Sequence, residues 1–161
     1  MTEVASKQII VGVHHSAASL AALRWAAAEA RLRRANLHVV HAWEPAVRRA
    51  SYAILGDSTV SGQERLRAQS VLAAVMRGAY GVEIPARVTA ELAEGTAERV
   101  LVQRSREASL LVLGAAGAHL AGRPAGPVIR ACMRSARCPL VIITATADVL
   151  PPVVSAPVAV S

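Results

Sequence analysis

Five short apolar runs, separated by longer segments with helical spacing, constrain what this chain can fold into. Gln8–Val13, Leu37–Trp43, Leu110–Leu113 and Leu140–Thr144 are rich in Val, Ile and Leu. Glu83–Leu92, which contains Pro85, supplies one more. Runs of this length and near-continuous apolarity read as strands buried on both faces. Between them, Ser16 is placed to cap a helix running to about Ala35, with Leu20, Leu23, Ala27 and Ala30 on one face. Ala46–Thr59 reads as irregular, with Gly56-Asp57 as a turn. A second helix is predicted from Gly62 to about Gly78. A third starts after Thr96 with Ala97, Val100 and Leu101 as its apolar face, and a fourth opens on Pro127 and runs to about Ala136. Strand–helix alternation of this kind predicts an open, mostly parallel sheet covered on both faces, a doubly wound α/β sandwich. Ligands of such sheets bind beyond the carboxyl ends of the strands, where the strand order reverses. The expected organisation is an extension over 1–6, one domain over 7–144, and a Pro/Ala/Val-rich tail over 145–161 that reads as disordered.

Composition narrows the function classes. The chain is 53% hydrophobic but only 2% aromatic, with no Phe, so its core is built from Val, Leu, Ile and Ala. That much apolar content with 18% charged residues excludes disorder across the whole chain. No uncharged apolar stretch reaches the roughly 18 residues of a membrane helix. Met1–Ile10 lacks the hydrophobic region of a secretory signal. Two cysteines, Cys132 and Cys138, make neither a disulfide scaffold nor a metal pattern, and a cytoplasmic location is the simplest reading. The net charge of +7 invites nucleic acid. The arginines are spread along the chain, however, densest at Arg31, Arg33 and Arg34, with no interleaved aromatics to stack on bases. They read as a solvated basic surface.

Chemistry-bearing side chains are sparse. Asp57 and Asp148 are the only aspartates, one in the irregular segment and one in the tail. No Ser–His–acid order and no lysine in the glycine-rich loop suggest a catalytic site. His14, His15, His38 and His41 have no cysteine or carboxylate at supporting spacing for a metal, so they read as strand-end or crevice histidines. Cys132 reads as a small buried apolar residue.

The most informative stretch is Leu113-Gly114-Ala115-Ala116-Gly117, then a longer loop, then Gly126-Pro127. It sets glycines and a helix N-terminus after a buried strand, an anion site in principle. Together with Ile9-Ile10-Val11-Gly12-Val13, Leu37–Trp43, Glu94-Gly95-Thr96-Ala97 and Arg137-Cys138-Pro139-Leu140, this stretch resembles the universal stress protein family over about 7–144. The resemblance implies strand order 3-2-1-4-5 and a homodimer paired through the last strand, Leu140–Thr144. It also implies, in many members, a bound ATP.

Two departures from the family's ATP-binding pattern stand out. That pattern is Gly, two residues, Gly, nine residues, then Gly-Ser or Gly-Thr. Here Gly114 and Gly117 match, but only eight residues separate Gly117 from Gly126, and Pro127 stands in place of the hydroxyl residue. Proline supplies neither a hydroxyl nor an N–H to a phosphate. Losing two charge-assisted hydrogen bonds weakens binding by about a hundredfold or more. The family's nucleoside-contacting Asp after the first strand is His14 here.

The candidate nucleotide-binding residues are accordingly Gly12, Val13, His14, Ala42, Gly114, Gly117, Gly126 and the N–H groups of Val128 and Ile129. Arg123 or Arg130 would be the replacement phosphate contacts. The chain therefore reads as a stress-response regulatory or binding protein with weak or lost adenine-nucleotide (ATP) binding and no catalytic residues. The competing readings are an ATP-binding enzyme of the same architecture, a nucleotidyl transferase or slow ATPase, and a basic nucleic-acid-binding module.

Overall fold

The computed structural model describes residues 7–45, 58–116 and 125–145. Gly117, Arg123, most of the segment 46–59, the 1–6 extension and nearly all of the expected tail lie outside them. The strands are β1 (Gln8–Gly12), β2 (Asn36–Trp43), β3 (Val88–Glu94), β4 (Leu110–Ala116) and β5 (Leu140–Ala145). The helices are α1 (Ala17–Arg33), α2 (Ser58–Tyr80), α3 (Ala97–Arg104), continued by a 3-10 turn over Ser105–Glu107, and α4 (Pro127–Ser135). All five strands are parallel, in the order β3-β2-β1-β4-β5.

The alternation of side chains along β1 divides the core in two. Ile9, Val11 and Val13 pack under α1 and α2 with Leu23, Leu72, Val75 and Met76. Ile10 faces the other way, toward Leu101, Ile129 and Cys132 of α3 and α4. Burial pushes the Cys132 thiol up to about 11, so it stays protonated in a small apolar niche. On that second face His38 of β2 meets Thr89 (2.7 Å) and Glu91 (2.6 Å) of β3, and Arg104 of α3 grips the same Glu91 carboxylate. This ties α3 to the β2–β3 edge. The Arg104 guanidinium, with a smaller contribution from His38, holds the Glu91 carboxyl at about 2.

Several boundaries differ from the sequence expectation. Helix α1 ends at Arg33 because Arg34 turns left-handed (φ 53°, ψ 36°), and the Ala35 N–H then reaches back to the Ala30 carbonyl at 2.9 Å. Its buried stripe is Ala18, Ser19, Ala22, Leu23, Ala26 and Ala30, whereas Leu20 and Ala27 sit at the edge of the interface. Helix α2 is longer at both ends than expected, from Ser58 to Tyr80. Gly78 does not stop it but lets α2 approach α1, where an added Cβ would lie 3.3 Å from Leu20. Strand β3 begins only at Val88, after a turn closed by the Val88 N–H on the Pro85 carbonyl (2.9 Å). Strand β4 does not stop at Leu113 but carries Gly114 within the sheet, in register with Ile143.

Candidate functional site

With β1 flanked by β2 and β4, the chain winds outward in opposite directions on its two sides, and the reversal falls between β1 and β4. A cavity of about 310 Å³ opens there, at the carboxyl ends of the strands. Gly12, Val13 and His14 enter it from β1, Ala42 from β2, Gly114 from β4, and Gly126, Val128 and Ile129 from the start of α4. Eight of the nine candidate residues thus meet around one space, and the ninth, Gly117, is outside the described residues.

The wall between β1 and α1 is a closed hydrogen-bond circuit. Ser16, extended at φ −157°, caps α1 by accepting the Ser19 N–H at 3.1 Å, and its own N–H donates to the His14 carbonyl at 2.9 Å. The Ser19 hydroxyl accepts the His14 N–H at 2.9 Å, although Ser19 is only 1% exposed. Ser19 is therefore the residue that seats His14. Sequence reasoning missed it, because a serine inside a helix ordinarily reads as solvated.

Two histidines stand in the crevice. His41 donates from Nδ1 to the Val13 carbonyl at 2.8 Å. Partial burial, and then the neighbouring His41, push the His14 imidazole below its ordinary 6.5. Both residues line the cavity. Among the described residues no carboxylate and no lysine lines it.

The opposite wall is the N-terminus of α4. Gly126 is the N-cap and makes no side-chain cap, Pro127 opens the first turn, and the Arg130 N–H makes the first intrahelical bond, to the Gly126 carbonyl at 3.0 Å. The Val128 and Ile129 N–H groups precede that bond and have no acceptor within the helix. These two donors and the helix dipole make this wall attractive to an anion. Arg130 is exposed and does not line the cavity.

The glycines of the crevice serve different ends. A Cβ on Gly126 would meet none of the described residues within 4 Å. A Cβ on Gly12 would lie 2.8 Å from the side chains of both Leu101 and Leu113, which form the floor. On Gly114 it would run into the Ala18 carbonyl oxygen and lie 2.9 Å from the Ser19 nitrogen. Gly114 is thus required by the packing of α1 against β4, whatever the crevice holds.

The sequence model of the universal stress protein family matches residues 5–144. The chain belongs to the universal stress protein family. Among curated relatives, the universal stress protein Rv2623 of Mycobacterium tuberculosis is 35% identical over 156 residues, covering 94% of this chain and 52% of that protein. The chain thus spans about half the length of the relative it matches. Among solved structures, the universal stress protein of Archaeoglobus fulgidus in complex with dAMP superposes with a TM-score of 0.61 at 22% identity, covering 85% of this chain and 97% of that one. An Arabidopsis thaliana universal stress protein family protein with AMP bound superposes with a TM-score of 0.58 at 16% identity, covering 91% and 96%. At those identities the two structures speak for the fold alone, and its sheet order is the one expected from the sequence. No helix among the described residues is long and apolar enough to cross a membrane.

Proposed function

We propose that this universal stress protein is a regulatory binding protein of the stress response, whose crevice holds an adenine nucleotide weakly. The observation that carries this reading is the convergence of Gly12, His14, Ala42, Gly126, Val128 and Ile129 on one cavity of about 310 Å³, near the lower end of small-ligand pockets. That size suits a nucleoside with a short phosphate, and two related folds were solved with dAMP and with AMP.

Weak affinity follows from what this chain presents. The Val128 and Ile129 N–H groups remain for a phosphate, but Pro127 withholds one N–H and one hydroxyl. His14, held neutral, offers the nucleoside one ring donor or acceptor where a carboxylate would accept twice. A cavity without carboxylate or lysine supports binding over catalysis. Among the described residues strand β5 has β4 on one side only, and Ile142 is 37% exposed, which supports a homodimer through Leu140–Thr144. Both cysteines are free thiols, which suits the reducing cytoplasm.

Calorimetric titration of ATP and AMP into the purified protein tests this reading. The expected dissociation constants are about 100 μM or weaker. The variant carrying His14→Asp, Pro127→Ser and one residue inserted between Gly117 and Gly126 should tighten ATP binding about a hundredfold. Micromolar ATP affinity in the unaltered protein overturns weak binding, and an unchanged affinity in the variant overturns the assignment of the crevice.

A further inference from the structure

A second cavity, larger than the crevice, lies at the other end of the sheet, where β2 and β3 begin. It measures about 610 Å³ and is enclosed by the last turns of α1 and α2 and by the turn leading into β3. Its floor is apolar and made of small side chains, Ala27, Ala30, Ala35 and Ala79, with Leu37 and Val88. Arg24, Arg31, Arg34 and Arg87 stand around it, and among the described residues no carboxylate lines it.

Two of these arginines are fixed by backbone. Arg24 donates from Nη2 to the Gly78 carbonyl at 3.3 Å, and Arg87 from Nη1 to the Arg34 carbonyl at 2.7 Å. A guanidinium carries five N–H donors, so each keeps further donors to offer. Arg34 holds its place in the left-handed region, a backbone conformation that glycine adopts without strain and arginine does not. Tyr80 lines the same space, and its hydroxyl is buried with no hydrogen-bond partner among the described residues.

We propose that this cavity binds a small amphipathic carboxylate, its chain on the alanine floor and its head held by the arginines. Planar guanidinium forks match a carboxylate in two-point geometry. The apolar floor requires a hydrocarbon body, which inorganic anions lack. The site lies on the opposite end of the sheet from the nucleotide crevice, so the two readings stand or fall separately.

Decanoate is a soluble probe of suitable size. Calorimetry on the full chain should give one saturable site with a dissociation constant of about 100 μM. Decanol and inorganic phosphate should each bind at least about tenfold more weakly. Replacing both Arg31→Gln and Arg87→Gln, at exposed positions, should weaken decanoate about tenfold. Absence of saturable binding, equal affinity for decanol, or an unchanged double variant would each overturn the proposal.

Discussion

The two ends of the parallel sheet present positive charge by different means. At the carboxyl ends of the strands the crevice is small, about 310 Å³, and its charge is that of backbone: the first N–H groups of α4 and the positive end of its dipole. The Ser16 and Ser19 hydroxyls there are spent on backbone, accepting the Ser19 and His14 N–H groups. At the amino ends the cavity is about 610 Å³, and charge comes from four arginine side chains beside the negative ends of α1 and α2. The dipole accounts for Arg31 in the last turn of α1, but not for Arg24 earlier in that helix or Arg87 before β3. A doubly wound sheet thus offers anions a ready-made site at one end only, and at the other the sequence has to supply the cations itself.

The sharpest way to break this comparison is Gly114→Ala. The added methyl meets the α1 backbone, so stability should fall by about 3 kcal/mol in urea denaturation. Gly126→Ala, whose added methyl meets none of the described residues, should cost less than about 1 kcal/mol. Equal losses would show that the crevice glycines share one role. Next is Ser19→Ala, which strands the His14 N–H and should cost about 1–2 kcal/mol while loosening the nucleotide crevice and sparing the basic cavity.

Arg34→Gly at the amino end should act in the opposite sense. Relief of the left-handed backbone should raise stability by about 1 kcal/mol, with a severalfold loss of decanoate affinity. A gain in stability with no loss of affinity would place Arg34 outside the site. The smallest effect is a pH dependence of the crevice. His14 is depressed below 6.5 in the folded chain, so the unfolded chain takes up the proton first as pH falls. Its contribution is complete above 6.5 and is lost below, by less than about 1 kcal/mol because the ring is largely solvated. Glu91, held at about 2, acts in a separate window below 4.5. Denaturation at pH 7.5 and 5.5 should therefore differ for the native chain and converge for His14→Asn.

The strand runs were legible because a parallel sheet buried on both faces demands continuous apolar stretches, and Ile9–Val11 and Leu110–Leu113 have no other use. The start of β3 was not legible. Val82 and Ile84 look like strand residues, yet they are 99% and 51% exposed before the Pro85 turn. Helix α1 was legible as a helix but not in phase, since a face of alanines gives almost no contrast between inside and outside. The crevice could be assembled from the family resemblance, apart from Ser19 and the packing role of Gly114. The basic cavity was invisible, because Arg24, Arg31 and Arg34 along and after α1 look like ordinary solvated charge until the fold brings Arg87 beside them. Of the densest cluster, Arg33 pairs with Glu29 on the surface as expected, whereas Arg31 and Arg34 line the cavity.

The contact between Gly114 and the first turn of α1 has a consequence for how variants of this protein should be scored in living cells. A substitution there lowers the amount of folded protein exposed to its ligand rather than the affinity of each copy, because chaperones and proteases act on the unfolded fraction. Screens that read a cellular phenotype would record such a change as loss of binding. Only a measurement normalised to folded protein separates abundance from recognition, and it would show the glycine to belong to the scaffold.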